Sequence, residues 1–296
     1  MVTDSTTIAP DSIPCLVCKK GNRPKATQCV QCNAPMALVT DSAMQGRTPQ
    51  VVTVIGESRA GKTVYLGFLL DILAQRASQF DAIPIGSFSV ELQQGVMSHL
   101  AQRRFPQKTA PQPGRWQWAC YEVSRRGSDR WVDVLMPDMA GEALAAEIAS
   151  PDTVGTVRSL LIQSRGIILC IDAAAAARGH AQPDLFALKV MSYIDSLGGS
   201  KRNRRVTTPV AVVLCKSDYC PEAFEAPAEF AQANLGRLWS VCESRFECVE
   251  FFASSVVGSV AYSTSPAEPD HVVSIPLHTA PRGIVEPFEW LVDQLP

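Results

Sequence analysis

The segment GESRAGKT, residues 56–63, constrains the fold of this 296-residue chain more than any other segment. It follows the β-branched run VVTVI (51–55), which is typical of a buried parallel strand, and it precedes YLGFLLDILAQ (65–75), which is apolar at helical spacing. A strand, a glycine-rich loop and a helix in this order are the context of a phosphate-binding loop. The sequence therefore predicts an α/β domain that binds a nucleotide at the carboxyl ends of parallel strands.

The whole loop and its flanks supply the predicted phosphate contacts. Backbone N–H groups would surround the α- and β-phosphates, Lys62 would reach the β- and γ-phosphates, and the Thr63 hydroxyl would bind Mg²⁺. The residues predicted to contact the nucleotide here are Gly56, Glu57, Ser58, Arg59, Ala60, Gly61, Lys62, Thr63 and Val64. The alternative is a chance turn with a surface lysine.

Two strand-like runs, RWQWACYEVSRR (115–126) and DRWVDVLMPD (129–138), predict a hairpin and hence an antiparallel strand in the sheet. A hairpin that leads directly into an aspartate is the arrangement of Ras-like GTPases. The second run ends in DMAG (138–141), which resembles the D-x-x-G motif of these proteins. The resemblance implies that Asp138 holds Mg²⁺ and that the Gly141 N–H contacts the γ-phosphate. A simple turn at the end of a strand is the alternative.

Two later strand ends resemble the motifs that recognise guanine. PVAVVLCKSD (209–218) is similar to N/T-K-x-D, with Cys215 at the first position. The resemblance implies that Asp218 accepts hydrogen bonds from guanine and that the Lys216 stem packs over the base; a strand followed by a charged turn is the alternative. CVEFFASS (248–255) ends like S-A-K, whose backbone contacts the guanine O6, here at Ser254 or Ser255. Cys215 lacks the amide that ties the loops together, so an ATP-dependent enzyme stays an alternative.

A Ras-like switch also needs a threonine that meets Mg²⁺ and the γ-phosphate, and a group that orients water. Thr109 is the one threonine of the proline-rich stretch 103–116, and an ordinary loop threonine is the alternative. Glu142 stands where Ras-like proteins carry a glutamine; the alternative is a favourable charge at a helix N-terminus. Arg59 and Arg104 are candidates for a cation that neutralises charge in the transition state.

Together, F-P-x-K-T (105–109), D-x-x-G-E, K-x-D and the closing PRGIVEPFEWL (281–291) resemble the double-GTPase proteins of bacterial conflict and signalling operons. The resemblance implies a three-layer α/β domain with a mostly parallel sheet and one antiparallel edge strand. It also implies GTP or GDP with Mg²⁺, slow hydrolysis through Lys62, Thr109 and Glu142, and a GTPase-activating or effector partner. The alternative is an interaction module that binds nucleotide without hydrolysis.

Near the amino terminus, CLVCKKGNRPKATQCVQC has the spacing C-x2-C-x10-C-x2-C. Two such knuckles supply four thiolates to one ion, which suits structural Zn²⁺. Two disulfides or four thiols are the alternatives. The segment resembles the zinc ribbons attached to many bacterial proteins, and its basic loop (19–25) is either solvated or a contact for nucleic acid or an acidic partner. The predicted zinc ligands are Cys15, Cys18, Cys29 and Cys32.

The chain therefore divides into a zinc ribbon (1–34), a linker (35–49) and a GTPase-like domain (50–296). The net charge of −2 predicts no general attraction to nucleic acid or anionic membranes. The apolar stretches are too short to span a bilayer, and the first residues lack the features of a signal peptide, so a cytoplasmic protein is expected. The Ser/Pro-rich insertion 256–283 predicts a hairpin, a lid or a partner surface.

Overall fold

The computed structural model describes residues 12–39, 49–76, 78–198, 204–265 and 268–295. In chain order, the strands are β1 (Ile13–Pro14), β2 (Gly21–Asn22), β3 (Gln50–Gly56), β4 (Phe80–Pro84), β5 (Trp118–Arg125), β6 (Trp131–Pro137), β7 (Ser164–Asp172), β8 (Val210–Cys215), β9 (Val249–Ser265) and β10 (Glu268–Arg282). The helices are α1 (Lys62–Ala74), α2 (Ser87–Ala101), α3 (Gly141–Ala149), α4 (Gly155–Gln163), α5 (Ala173–Ala177), α6 (Gln182–Leu197), α7 (Glu222–Glu225), α8 (Pro227–Asn234), α9 (Gly236–Arg245) and α10 (Glu286–Gln294).

An eight-stranded sheet with the order β10-β9-β8-β7-β3-β6-β5-β4 organises the main domain. The strands from β9 to β6 in this order run parallel, whereas β5 is antiparallel to β6 and to β4, and β10 is antiparallel to β9. The predicted fold class, a three-layer α/β domain with a small four-cysteine segment, is confirmed. The parallel strands bring their carboxyl ends to one edge of the sheet, where a ligand can be bound.

The antiparallel strand predicted at 115–124 exists as β5, but it does not lie at the edge of the sheet, because β4 pairs outside it. β4 is the short sequence FDAIP, in which Phe80 and Ala82 are buried and Ile83 is exposed. A five-residue run with an aspartate and a proline gives little strand signal in the sequence. The charged and proline residues suit an edge position, where one side of the strand has no partner strand.

Helices cover both faces of the sheet, and alternate residues of β3 pack into two different apolar cores. Val52 and Val54 belong to the core formed with α1, α2 and α10. Val51 and Ile55 belong to the core formed with α3, α4 and α6. Because both faces are covered, β3 is almost wholly buried, as its continuous β-branched sequence predicts.

The four-cysteine segment packs on the main domain. Its strands β1 and β2 pair antiparallel, and the buried Val17 shares one apolar core with Trp116. The Thr156 hydroxyl at the start of α4 donates to the Cys32 carbonyl at 3.1 Å. Met36 and Leu38, from the predicted linker, are buried in the same core. The division into ribbon, linker and domain stays a prediction.

The insertion 256–283 is a hairpin, one of the three forms predicted for it. β9 pairs with β8 through residue 254 and then continues beyond the sheet, paired with β10 alone. The sequence GSKRNRR (199–205) predicts a basic loop, of which residues 199–203 lie outside the described residues. Within the described ranges, none of the helices is both long and apolar enough to cross a bilayer.

Candidate functional site

A cavity of about 900 Å³ lies at the carboxyl ends of β3, β7, β8 and β9. The loop before α1 forms one end of it, and the turn after β8 and the β9–β10 hairpin form the other. Many residues predicted from the motifs line it: Ser58, Arg59, Gly61, Lys62, Thr63, Val64, Thr109, Gly141, Lys216, Asp218 and Ser254. Other predicted residues lie behind this lining or beside it: Gly56, Glu57, Ala60, Asp138, Glu142 and Ser255.

The loop before α1 has the backbone of a tight anion-binding turn. Arg59 and Gly61 adopt positive φ angles of 67° and 103°, and α1 begins at Lys62. The Lys62 ammonium is buried and donates to the Glu57 carbonyl at 2.7 Å. Burial lowers the pKa of Lys62, because an enclosed site disfavours the charged form, while the nearby Asp138 carboxylate opposes this shift. A buried cation at a helix N-terminus is suited to a phosphate group.

Glycine is required where the backbones of this end approach one another. A Cβ atom on Gly141 would lie 2.5 Å from the Ser58 nitrogen, so the D-x-x-G segment lies directly against the phosphate loop. A Cβ atom on Gly56, whose φ is +153°, would lie 2.2 Å from the Cys170 carbonyl oxygen. No other residue type fits at these two positions without a shift of the backbone.

Three predicted Mg²⁺ ligands meet in one cluster of oxygen atoms. The Thr63 hydroxyl donates to the Asp138 carboxylate at 3.0 Å, and the Thr109 hydroxyl donates to the same carboxylate at 2.9 Å. The two threonine hydroxyls are 3.1 Å apart. Burial raises the pKa of Asp138, and the Lys62 ammonium and the two hydroxyls counteract that shift. Oxygen donors around a carboxylate are the set that Mg²⁺ prefers, so these residues fit that ion.

Glu142 forms an ion pair with Lys108, the residue before Thr109. The pair connects the 105–109 segment to the first turn of α3, and each side chain is about half exposed. Of the two arginines considered as cation donors, Arg59 lines the cavity and Arg104 does not. Lys108, which also lines the cavity, was missed by the sequence analysis.

The other end of the cavity is built from three strand ends. Lys216 has a positive φ of 62° and donates through Nζ to the Asp172 carboxylate at 2.5 Å. The Asp218 carboxylate accepts a hydrogen bond from the Ser255 hydroxyl at 2.8 Å. Cys215 packs against the phosphate loop, since a Cβ atom added at Gly61 would lie 3.6 Å from the Cβ atom of Cys215. Its position between the two loops is that of the asparagine in N-K-x-D, but it provides van der Waals contact in place of an amide.

Several residues at this end have no counterpart in the motifs. Asp172, Arg178, Tyr219 and Tyr262 line the cavity, and Asp172 also caps α5 by accepting from the Ala175 N–H at 2.9 Å. Asp172 could have been found, because it ends the apolar run GIILCID at the same sheet edge. Tyr262 could not, because its place depends on how the hairpin bends.

The four predicted zinc ligands come together in the amino-terminal segment. All four sulfur atoms lie within 4.8 Å of one another, and the Cys15–Cys32 and Cys18–Cys29 sulfur pairs are both 3.5 Å apart. Tetrahedral Zn–S bonds of about 2.3 Å would place the sulfurs about 3.8 Å apart. The N–H groups of Val17 and Gln31 point at cysteine sulfurs from 3.3 and 3.4 Å. The site fits a structural zinc ion.

The family described as Double-GTPase 2 matches residues 50–260. No curated protein matches the sequence. The solved structures that resemble the chain include the signal recognition particle receptor SRb-GTP/SRX complex from Chaetomium thermophilum, with 17% identity over 72% of this chain and 93% of that chain, at a TM-score of 0.39.

For two further solved structures that resemble this chain, the similarity covers a smaller share of the other protein. Roco2 RocCORdC of Methanosarcina barkeri, bound to GDP, is 19% identical over 70% of this chain and 43% of that chain, with a TM-score of 0.35. The Ski7 GTPase-like domain of S. cerevisiae, bound to GTP, is 15% identical over 68% of this chain and 42% of that chain, also at 0.35. The chain thus spans less than half of these two proteins.

Proposed function

The chain belongs to the Double-GTPase 2 family, and on this premise we propose that it is a guanine-nucleotide switch that hydrolyses GTP slowly until a protein partner accelerates it. The observation that carries the proposal is the convergence of Thr63, Thr109 and Asp138 beside the buried Lys62. Lys62, Thr63 and Thr109 line one end of a single cavity with Asp138 hydrogen-bonded behind them, and Asp218 lines its other end. A nucleoside triphosphate with Mg²⁺ matches both ends.

In this proposal the phosphate end binds charge. Lys62 and the loop N–H groups would neutralise the β- and γ-phosphates, and Thr63, Thr109 and Asp138 would hold Mg²⁺, which screens the phosphate charge when it is bound. The Gly141 N–H would contact the γ-phosphate from its place against the phosphate loop. Because Thr109 and Gly141 belong to separate segments, loss of the γ-phosphate would release both of them.

The base end would select guanine. The Asp218 carboxylate can accept from the N1–H and the exocyclic amine of guanine, a donor pair that adenine does not have. Ser255 orients that carboxylate, and Asp172 holds the ammonium of Lys216 so that the stem of the lysine can cover the base. Backbone at Ser254 and Ser255 would meet the guanine O6.

Hydrolysis would form a bond from a water oxygen to the γ-phosphorus and break the bond to the bridging oxygen, which leaves GDP and inorganic phosphate. Glu142 can accept the proton of that water, but a carboxylate has no amide donor with which to hold the water as glutamine does. Lys108 offsets the charge of Glu142 beside the triphosphate. We propose that these limits make unaided turnover slow and leave room for a partner to supply a further cation.

The same ion pair favours a second candidate, a binding module that does not hydrolyse GTP. A carboxylate engaged by Lys108 is not free to take a proton from water. Single-turnover assays of the wild type, Glu142→Ala and Lys108→Ala with GTP decide between the two. Turnover that falls at least about tenfold in Glu142→Ala supports the enzyme, and no turnover in any of the three proteins supports the module.

The nucleotide choice is tested by calorimetric titration of purified protein with GTP, GDP and ATP in the presence and absence of Mg²⁺. We expect guanine nucleotides to bind and ATP to bind much more weakly, and Asp218→Ala to remove that preference. Binding of ATP in preference to GTP would overturn the proposal and favour an ATP-dependent enzyme. Asp293→Ala, which removes a surface carboxylate paired with Arg125, is the matched control.

We also propose that the four cysteines bind one structural Zn²⁺ and that the protein acts in the bacterial cytoplasm, in a signalling or conflict system. Metal analysis should give one zinc per chain, with four fewer titratable thiols before chelation than after it. Cys15→Ser should lose the metal, while Cys242→Ser, at a buried cysteine far from the cluster in the chain, should retain it. Retention of zinc by Cys15→Ser would contradict the assignment.

A further inference from the structure

We propose that the β9–β10 hairpin retains the nucleobase, with Tyr262 closing the base end of the cavity against Tyr219. The inference rests on the proposed nucleotide site. It adds to that site a set of residues that the nucleotide-binding motifs do not contain, and it assigns them to nucleotide release.

The hairpin forms part of the cavity wall. From residue 256 onward, four residues of β9 line the cavity: Val256, Val257, Val260 and Tyr262. The three at even-numbered positions lie on one face of the strand. Ser274, which pairs with Tyr262 across the hairpin, also lines the cavity. The β9–β10 hairpin therefore forms one wall of the cavity, and Lys62 and Asp218 belong to its other walls.

The two tyrosines join the hairpin to the turn that carries Asp218. Tyr219 follows Asp218 directly, and its hydroxyl lies 3.3 Å from that of Tyr262. Tyr219 is 48% exposed and Tyr262 is 63% exposed, so this contact is made at the mouth of the cavity and not in the core. The hydrogen bond to Tyr262 raises the pKa of Tyr219 to about 12, so the Tyr219 phenol stays protonated well above neutral pH.

β9 contacts both Asp218 and the tyrosine that follows it in the chain. Ser255 donates to the Asp218 carboxylate, and seven residues further on Tyr262 meets Tyr219. The base is thereby bounded by the carboxylate of Asp218, the stem of Lys216 and the apolar side chains of the hairpin. Planar purine rings gain from contact with aromatic and aliphatic side chains, and they cannot leave by this end while the tyrosines are in contact.

The position of the hairpin predicts which step it controls. The contact lies at the base end, whereas the bonds that form and break in hydrolysis lie beside Thr109 and Asp138. The hairpin should therefore set the rate at which nucleotide dissociates and should leave the hydrolytic step unchanged.

The test measures dissociation of GDP that carries a fluorescent group on its ribose, chased with excess GDP in a stopped-flow instrument. We expect Tyr262→Ala to accelerate dissociation about tenfold. Tyr262→Phe, which keeps the ring and removes the hydroxyl, should accelerate it less.

The matched control is Leu277→Ala, because Leu277 is an exposed side chain of the same hairpin that does not line the cavity. It should leave dissociation unchanged. Circular dichroism melting establishes that each variant is folded. If Tyr262→Ala does not fold, Tyr219→Phe tests the same contact by removing the hydroxyl of the other tyrosine.

Wild-type dissociation in folded Tyr262→Ala, or in both phenylalanine variants if the alanine variant does not fold, would overturn the inference. So would equal acceleration in Leu277→Ala. A wild-type protein that binds no GDP would instead refute the proposed function itself.

Discussion

The two ends of the cavity are built on different principles. The phosphate end is made of buried charge and close backbone contact: Lys62 is 6% exposed, Asp138 is 2% exposed, and Gly141 touches the phosphate loop. The base end is made of side chains from separate strands, and Tyr219 and Tyr262 there are largely open to water. Phosphates are the same in every nucleotide and need preorganised charge, whereas the contacts to a base can differ from one protein to the next.

The phosphate end should give the largest effect. Lys62→Ala removes the buried cation that opposes the Asp138 carboxylate, and we expect GTP affinity to fall about 100- to 1,000-fold. Calorimetry with GTP and GDP measures the effect. The control is Lys189→Ala, an exposed lysine of α6. A loss of less than about tenfold would mean that backbone N–H groups alone supply most of the phosphate affinity.

A substitution at the base end should change which nucleobase is preferred and should also lower the affinity for GTP. Asp218→Asn presents an amide N–H where guanine also presents donors, so we expect GTP affinity to fall about 100-fold. Xanthine carries an acceptor in place of the exocyclic amine, and xanthosine triphosphate should bind the variant better than GTP. Competition of both nucleotides for the fluorescent GDP site measures the ratio, and an unchanged ratio would remove Asp218 from base recognition.

Backbone contact at the phosphate end is tested by Gly141→Ala. Its Cβ would lie 2.5 Å from the Ser58 nitrogen, so one of the two segments must move, at a cost of about 1–3 kcal/mol. We expect GTP affinity to fall about tenfold and GDP affinity to fall less, because the Gly141 N–H is proposed to meet the γ-phosphate. Gly155→Ala is the control, because a Cβ atom added at Gly155 would meet no atom of another segment within 4 Å. Equal losses for GTP and GDP would contradict the γ-phosphate contact.

The smallest effect is expected when the hydrogen bond that holds the Asp218 carboxylate is removed. Ser255→Ala removes one hydrogen bond to the Asp218 carboxylate, and a net value of about 1 kcal/mol predicts a guanine affinity about fivefold lower. The same titrations measure it against Ser244→Ala, a serine of α9 that bonds only to its own helix. A loss as large as that of Asp218→Asn would show that the serine itself contacts the base.

The sequence predicts well which side chains the structure brings together around Lys62, because that part of the cavity is local. The strand, loop and helix around Lys62 are continuous, and the hairpin leads directly into Asp138, so period and spacing determine where both side chains lie. The four-cysteine cluster is predictable for the same reason, since each pair is separated by two residues. The family resemblance is likewise confirmed by the match over residues 50–260.

The sequence predicts less of what depends on distant contacts. β4 is only five residues long and contains an aspartate and a proline, so it is not recognised as a strand and β5 is predicted at the edge of the sheet. The pairing of Lys108 with Glu142 joins residues 34 positions apart, and the meeting of Tyr219 with Tyr262 joins residues 43 positions apart. Such contacts follow from tertiary geometry, which no local pattern encodes.

The apolar core shared by the four-cysteine segment and the main domain has a practical consequence. A fragment started at residue 50 would lack Val17, Met36 and Leu38, which belong to the same apolar core as Trp116 and Val157. The newly bared surface would lie next to the segment that carries Thr109, and exposed patches of this kind invite aggregation. Expression of residues 50–296 should therefore include the cysteine segment, because that segment keeps part of their apolar surface out of water.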